Sequence, residues 1–210
     1  VDSLCLTTLY GFRSLELLSK EPCRPFDAER TGISIGEGAG FALLERTGAG
    51  VALVGVGESA DAYHMSTPHP EGLGARLAME RALAAASVAP EEIGYLNLHG
   101  TATRSNDAAE GRAVRAVFGS RTPCSATKGA HGHLLGAAGI TEALVAIMSL
   151  ERGWLPGTAN TRTLDAACGC RVLLQGEPAD ARYVLSNSFG FGGNNCVLAC
   201  PFGVPKMMVA

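Results

Sequence analysis

Two histidines and a lysine lie where predicted strands end and glycine-rich loops begin. His99 follows the apolar run at residues 95–98, and His133 lies in SATKGAHGHLLGAAG, five residues after Lys128. Thr101 and Thr103 follow His99 at alternate positions and place two hydroxyl groups on one side of the loop. Because open α/β sheets bind ligands outside the carboxyl ends of their strands, these residues predict part of an active site.

The residues near the two imidazoles help to decide whether the rings bind a metal or donate hydrogen bonds. The two histidines of His131-Gly132-His133 could be read as a metal-binding pair. A zinc site, however, needs a third ligand with supporting contacts. The nearby Lys128 would also repel a divalent cation. We therefore favour neutral imidazoles that donate hydrogen bonds to an anion or a developing oxyanion. Two donors directed at one carbonyl oxygen would stabilise an enolate or a tetrahedral intermediate.

Glu142 lies within the apolar segment ITEALVAIM, where an unpaired charge would cost several kcal/mol. Something must compensate it, and the candidates are Lys128, a bound cation or a backbone donor. A structural ion pair and a direct catalytic role both fit this pattern.

The elements that must position these residues alternate between helices and strands. Helical spacing predicts helices, and apolar runs bounded by turns predict strands. The predicted helices cover residues 7–19, 72–87, 107–118 (capped by Ser105 or Asn106) and 134–152. The predicted strands cover 40–44, the start of 51–62, 93–98, 122–126, 171–174, 182–186 and 195–200. The last two strands form a hairpin through SNSFGFGGNN. Residues 36–40, GEGAG, lack the lysine of a phosphate loop, which favours a close backbone contact lined by glycine.

Composition excludes several classes of function. Apolar residues make up 47% of the 210 residues and charged residues 18%, a globular balance. The net charge of -3, without a basic cluster, argues against nucleic-acid and membrane surfaces. The seven cysteines are odd in number and irregularly spaced, which favours reduced thiols and a cytoplasmic location. The chain lacks an initiator Met and a signal-peptide layout, so we expect a piece of a longer cytoplasmic protein.

Three long motifs resemble a known family. LNLHGTATRSND, SATKGAHGHLLGAAGITEA and SNSFGFGGNN are similar to the C-terminal signature loops of the β-ketoacyl-acyl-carrier-protein synthases. The resemblance is to the elongating branch with a Cys-His-His active site. PFDAERTGISIGEGAGFALLE resembles the segment just before the family's midpoint. Together these motifs cover nearly the whole chain in the family's order.

The resemblance implies an α/β, thiolase-like fold with a mixed five-stranded sheet and helices on both faces. Residues 1–48 would be the end of the N-terminal thiolase-like half, residues 49–200 the C-terminal half and residues 201–210 a tail. The family's nucleophilic cysteine lies upstream of Val1, so the enzyme is expected to be incomplete without the missing N-terminal half.

The resemblance also implies roles for individual residues. His99 and His133 match the two catalytic histidines, and Lys128 with Glu142 matches the pair that organises the site. Four residues match substrate contacts, namely the pantetheine-binding Thr101 and Thr103, Phe189, and the gating Phe191. A structural Na or K ion is implied at Asn97, Glu142, Ser186 and Asn187.

The implied activity is decarboxylative condensation of malonyl-acyl carrier protein with an acyl thioester, in fatty-acid or polyketide and polyene synthesis. No organic cofactor is implied, since the phosphopantetheine of the acyl carrier protein carries the substrate. The expected assembly is a homodimer or a heterodimer of ketosynthase and chain-length factor. An alternative is a non-catalytic partner subunit like a chain-length factor, or an inactive fragment.

Two related enzyme classes fit less well. Degradative thiolases use a second cysteine near the glycine loop, but Cys196 comes after that loop, on the strand. Starter-unit synthases pair His with Asn, whereas this chain has both His99 and His133. Departures from the family pattern at residues 104–106, 129–131 and 194 suggest a specialised synthase.

Overall fold

A computed structural model describes residues 1–46 and 50–203. Its strands are β1 Gly55–Ala60, β2 Ile93–Asn97, β3 Pro123–Ser125, β4 Trp154–Leu155, β5 Arg171–Val172, β6 Glu177–Pro178, β7 Tyr183–Gly190 and β8 Asn194–Pro201. Its helices are α1 Leu6–Ser14, α2 Leu73–Ala86, α3 Arg104–Phe118, α4 Lys128–His131 and α5 Ala138–Arg152. Short 3₁₀ turns cover Pro90–Glu92, Leu135–Ala137 and Ala166–Cys168.

The main sheet has six strands in the order β1-β8-β7-β2-β3-β5. The β7-β2-β3-β5 part is parallel, whereas β1-β8-β7 is antiparallel. The predicted mixed sheet is therefore confirmed, with one strand more than the five expected, because the two-residue β5 extends its edge. A separate small sheet pairs β4 with β6.

Helices cover both faces of this sheet, as predicted. On one face, Met79 of α2 and Val114 of α3 pack against Leu96 and Leu185. On the other face, α5 packs Ala146 and Leu150 against Tyr95 and Val184. Neighbouring residues of a strand point to opposite faces, so β2 and β7 contribute to both cores.

The β7–β8 hairpin is also confirmed. Its register runs from Tyr183 opposite Pro201 to Gly190 opposite Asn194, which leaves a turn of three residues. Gly192 and Gly193 take φ values of 83° and 76° in that turn, a region that glycine enters at little cost.

Residues 1–46 lie against the rest of the chain through isolated bridges. Asp27 pairs with Leu164, and Ile35 pairs with His133. The predicted boundary at residues 48 and 49 falls outside the described residues, as do residues 204–210 of the predicted tail. Pro201 still belongs to β8, and Phe202 bridges Val51, so the tail begins later than predicted.

Two predicted elements within residues 1–46 are wrong in part or in full. Residues 40–44 form no strand, and Phe41, Leu43 and Leu44 are 82%, 85% and 76% exposed, because no described strand lies beside them. The predicted helix over residues 7–19 ends at Ser14, and Glu16 then takes a φ of 58°.

All seven cysteines are free thiols. Within residues 1–46 and 50–203, the helices are too short or too polar to cross a bilayer.

Candidate active site

His99 lies two residues after the end of β2, and α3 fixes its backbone. The backbone N–H groups of His99 and Gly100 each donate to one carboxylate oxygen of Glu110, both at 2.8 Å. Glu110 is fully buried and also accepts from the amide of Asn187 at 3.0 Å. Because these bonds hold the peptide units on both sides of His99, the ring leaves the sheet edge in a fixed direction.

His133 lies in a loop that the segment around Ile35 holds in place. Its N–H donates to Ser34 O at 2.7 Å, and its carbonyl accepts from the N–H of Gly36 at 3.0 Å. A side chain on Gly36 would overlap the carbonyl oxygen of His131. The predicted glycine-lined backbone contact at residues 36–40 is thus confirmed, and the histidine loop is its partner.

The two imidazole rings lie beside each other in an edge-to-face arrangement. Their centroids lie 5.3 Å apart, with the planes at 83°. The ammonium of Lys128 lies 3.2 Å from His99 Nδ1, and the N–H of Leu135 donates to His133 Nδ1 at 3.2 Å. Ammonium and amide groups can only donate, so each Nδ1 is an acceptor and each ring carries its proton on Nε2. The pair therefore offers two Nε2–H donors.

Lys128 and Glu142 form a buried ion pair beside His99. Side-chain exposure is 1% for the lysine and 0% for the glutamate. The lysine ammonium contacts Glu142 Oε1, His99 Nδ1 and the carbonyl of His99. An ammonium has three protons, so all three find acceptors. The lysine, one of the three candidates that the sequence left open, thus compensates one carboxylate oxygen of the glutamate and also sets the tautomer of His99.

Burial keeps both rings neutral. Burial, reinforced by the positive charge of Lys128, lowers the pKa of His99 well below its ordinary value and that of His133 to about 3. Burial also raises the pKa of Glu142 to about 7, against the opposing effect of the lysine. At neutral pH the rings are therefore uncharged.

Both histidines open into a cavity of about 770 Å³, which also brings together the four predicted substrate contacts: Thr101, Thr103, Phe189 and Phe191. The two threonine hydroxyls lie 2.9 Å apart. The ring of Phe189 lies 5.7 Å from that of His99, and Phe191 stacks on Phe12 of α1 at 5.8 Å. Thr103 also caps α3 by accepting from Asn106 N–H, so the predicted cap at Ser105 or Asn106 is wrong.

Four buried side-chain oxygens have no hydrogen-bond partner among the described residues: Asn97 Oδ1, Glu142 Oε2, Ser186 Oγ and Asn187 Oδ1. Asn97 lies beside Ser186 in the β2–β7 register, on the face that α5 covers with Glu142. Asn187 is the next residue of β7, and its side chain points to the other face, toward Glu110 and Met79. Three of the four predicted cation ligands therefore share one face, and the Asn187 side chain does not.

His131 does not join His133 at the cavity. One ring nitrogen lies 2.7 Å from Gly132 O and the other 3.0 Å from Thr127 Oγ1. Within the described ranges, no cluster of three histidine, cysteine or acidic side chains has a metal-binding arrangement.

Sequence reasoning missed two acidic residues of α3 that build the His99 loop. Asp107 accepts from Phe26 N–H at 2.7 Å and Ala102 N–H at 3.2 Å, and it lies 3.6 Å from Arg30. Glu110 holds His99 from the same helix. The available signal was the i, i+3 spacing of two carboxylates directly after LNLHGTATRSN, since such residues face one side of a helix.

Comparison with known proteins adds to these features. The family model described as Beta-ketoacyl synthase, C-terminal domain, matches residues 51–162. The model described as Beta-ketoacyl synthase, N-terminal domain, matches residues 2–49. A mitochondrial 3-oxoacyl-[acyl-carrier-protein] synthase of Arabidopsis thaliana is 42% identical over 194 residues, which cover 85% of this chain and 42% of that protein.

Solved structures agree with the predicted thiolase-like fold. A chain in the complex of the ketosynthase ApeO with its chain length factor ApeC, from Xenorhabdus doucetiae, superposes with a TM-score of 0.88 at 46% identity, covering 96% of this chain and 51% of that chain. A chain in AntDE:AntF, a type II PKS acyl-carrier protein in complex with its ketosynthase, superposes with a TM-score of 0.87 at 26% identity. The match covers 97% of this chain and 55% of that chain. The chain thus spans about half the length of the relatives it matches.

Proposed function

This chain belongs to the β-ketoacyl synthase family, and we propose that it forms the C-terminal part of a β-ketoacyl-acyl-carrier-protein synthase. The proposed reaction is the decarboxylative Claisen condensation of a malonyl thioester with an acyl thioester. One observation carries the proposal: two uncharged imidazoles, 5.3 Å apart, offer Nε2–H donors at the same cavity.

The donors fit the charge that this reaction develops. When malonyl thioester loses carbon dioxide, the electrons of the broken C–C bond form an enolate with negative charge on the thioester oxygen. The Nε2–H groups of His99 and His133 would hold that oxygen. The enolate carbon then attacks the acyl carbonyl, a C–C bond forms, and the C–S bond to the acyl carrier breaks to release a thiolate. Fixed donors in a water-poor site stabilise such an oxyanion strongly.

In this proposal the acyl group is held as a thioester on a cysteine of the N-terminal half. Among the cysteines of this chain, Cys196 lines the cavity, but partial burial and Glu58 raise the pKa of its thiol. A thiol with a raised pKa is a poor nucleophile near neutral pH. The same property argues against the thiolase alternative.

The remaining cavity residues fit a long thioester arm. The paired hydroxyls of Thr101 and Thr103 supply polar contacts for the amides of phosphopantetheine. Phe189 lies beside His99, and Phe191 is the candidate gate, stacked on Phe12 and half exposed in the β7–β8 turn. The proposed reaction needs no organic cofactor, because the acyl carrier protein brings this arm with the substrate.

A structural monovalent cation is proposed beside Glu142. The unpaired oxygens of Asn97, Glu142 and Ser186 fit a hard cation, which prefers oxygen ligands. A bound Na or K ion would offset the second carboxylate oxygen of Glu142, whose first oxygen contacts Lys128. Asn187 could take part only through its backbone, since its side chain lies on the opposite face of the sheet, where its amide donates to Glu110.

The proposed partners are an acyl carrier protein, the N-terminal half and a second subunit, in a homodimer or in a heterodimer with a chain-length factor. The matched complexes support these kinds of partner, since one pairs a ketosynthase with a chain length factor and one pairs it with an acyl-carrier protein. The free thiols support a reducing, cytoplasmic location. The fatty-acid and polyketide or polyene pathways share this chemistry.

The test uses the complete synthase that contains this chain, with malonyl- and acyl-loaded carrier protein. We expect His133→Ala to lower malonyl decarboxylation and condensation by about 10²–10³-fold, as for loss of one oxyanion donor. Glu151→Ala, on the exposed side of α5, is the matched control and should keep wild-type rates. Condensation that survives in the His133 variant would overturn the proposed role.

The same assay separates the alternative of a non-catalytic partner subunit. A wild-type protein that neither decarboxylates malonyl thioester nor condenses it would support that alternative. The geometry favours catalysis, because a partner subunit has no need for two buried neutral imidazoles held in one tautomer.

A further inference from the structure

His131 occupies a position that the proposed reaction does not use. Its ring is half-buried and does not line the cavity that holds His99 and His133. Both of its nitrogens nevertheless have partners at hydrogen-bond distance, Gly132 O at 2.7 Å and Thr127 Oγ1 at 3.0 Å. A carbonyl can only accept, so the nitrogen beside Gly132 carries the proton and the other accepts from the threonine hydroxyl.

Each of these two partners is next in sequence to a residue of the candidate active site. Thr127 directly precedes Lys128, and Gly132 directly precedes His133. The ring of His131 therefore joins the two ends of the four-residue helix α4. It couples the backbone that presents the lysine to the backbone that presents the histidine.

The loop needs such a restraint. Gly132 has a φ of 77°, and glycine is the residue with the least resistance to backbone rotation. The bond from His131 fixes the carbonyl of Gly132 and hence the peptide plane that continues into His133. The opposite edge of that plane, the N–H of His133, donates to Ser34 O at 2.7 Å. The plane is thus held from both sides.

We propose that His131 is a positioning residue for the proposed condensation, which bridges Thr127 and Gly132 so that Lys128 and His133 keep one relative orientation. This inference rests on the proposed function and adds a residue to it. The ring contacts no substrate; it acts through the two backbone segments. Its two nitrogens have separate roles, since Nδ1–H orients the His133 peptide and Nε2 holds the start of α4.

The two roles can be separated by substitution in the complete synthase. Asparagine places an amide near the position of Nδ1 and can keep the bond to Gly132, whereas alanine keeps neither bond. We expect His131→Ala to lower the kcat of condensation by about 10- to 100-fold with little change in KM, since displacements of about 1 Å can cost that much. His131→Asn should recover most of the loss.

Thr127→Val tests the other end of the bridge. Valine has the shape of threonine without the hydroxyl, and Thr127 Oγ1 has its hydrogen bond with His131. We expect a smaller fall in kcat than for His131→Ala, and no further fall when Thr127→Val is added to that variant. Additive losses in the double variant would contradict the bridge. His64→Ala removes an exposed histidine with one backbone contact and is the matched control.

A spectroscopic readout separates positioning from general stability. In protein with ¹⁵N-labelled histidine, the shifts of His133 should report the Nε2–H tautomer in the wild type and a mixture of tautomers in His131→Ala, at an unchanged melting temperature. If the wild-type synthase condenses normally and the His131 variants match it in kcat and tautomer, the inference is wrong and the proposed function stands. If the wild type itself fails to condense, the proposed function is at fault.

Discussion

At the scale of single residues, the same kind of hydrogen bond sets the tautomer of both histidines. In each of the two rings, Nδ1 accepts from a group that can only donate. This group is the ammonium of Lys128 for His99 and a backbone amide for His133. The two donors come from different parts of the chain, yet both leave Nε2–H free to serve the cavity. Because protonation of either ring would require displacing its donor, the geometry and the lowered pKa values favour the same neutral state.

This state predicts a specific response to acid. The unfolded chain protonates His133 below about pH 6.5, whereas the folded protein does so only near its pKa of about 3. The unfolded state then binds the additional proton, so stability falls as the pH drops from about 6.5 to 3. We expect His133→Gln to lose less melting temperature than the wild-type synthase between about pH 7 and about pH 4.5. His64→Gln, at an exposed histidine, should lose as much as the wild type, and an equal loss in all three proteins would refute the lowered pKa of His133.

Residue types and spacing were enough to select His99, His133, Lys128 and Glu142. They could not give the tautomers, because the donor to His133 is the backbone of Leu135 and its direction depends on a local turn. They also could not give Glu110, whose two backbone bonds appear only when α3 is packed under the end of β2.

At the scale of elements, two glycine-containing loops fix the site by contact with each other. Residues 34–36 run parallel to the backbone of His133, and Gly36 approaches the His131 carbonyl where a side chain would overlap it. Gly132 approaches the same segment, since a Cβ there would lie 2.9 Å from Gly36 N. The part of the chain that matches the N-terminal family model, residues 2–49, thus holds a histidine that lies far beyond its end in the sequence.

Gly36→Ala tests this contact. The added methyl group should push the histidine loop away, with a cost of about 1–3 kcal/mol as for overpacking in a core. We expect a lower melting temperature and at least a tenfold lower rate of condensation in the complete synthase. Gly11→Ala is the matched control: its Cβ meets nothing within 4 Å, and alanine in helix α1 is favoured over glycine by up to about 1 kcal/mol. Equal behaviour of the two variants would show that the contact does not hold the loop.

Hydrophobic periodicity predicted most of the helices and strands that pack one face against a core. The helix predicted over residues 72–87 is α2, and the strand predicted over residues 93–98 is β2. The helix predicted over residues 134–152 begins only at Ala138, because Leu135 takes a φ of 48° and starts a 3₁₀ turn that gives His133 its donor. The active-site geometry thus overrides the helical pattern at that point.

At the scale of the whole molecule, the site collects the carboxyl ends of β2 and β3 and the turn after β7 at one edge of the sheet. The mixed sheet was predictable from alternating helices and strands, because parallel strands require helical crossovers. The wrong strand over residues 40–44 shows the limit of that reasoning. An apolar run predicts burial, but not which part of a protein supplies the covering surface.

The exposed apolar run gives a prediction for the complete synthase. Phe41, Leu43 and Leu44 are each more than three-quarters exposed, and a contiguous apolar surface usually marks an interface. Since the chain spans about half the length of its relatives, we expect the N-terminal half to cover this run. In the complete synthase, Leu43→Asp should then bury a carboxylate and lower stability by about 3 kcal/mol or more.

Leu77→Asp, on the outer side of α2, is the control that makes this result decisive. Leu77 is 38% exposed against 85% for Leu43, so exposure in this chain alone ranks the Leu77 variant as the more damaging one. Coverage of residues 41–44 reverses that order, because Leu43 becomes a core residue and Leu77 stays at the surface. Melting temperatures of the two variants of the complete synthase distinguish the cases. A Leu43 variant that is at least as stable as the Leu77 variant would show that the run remains exposed, and another partner would then have to be found for it.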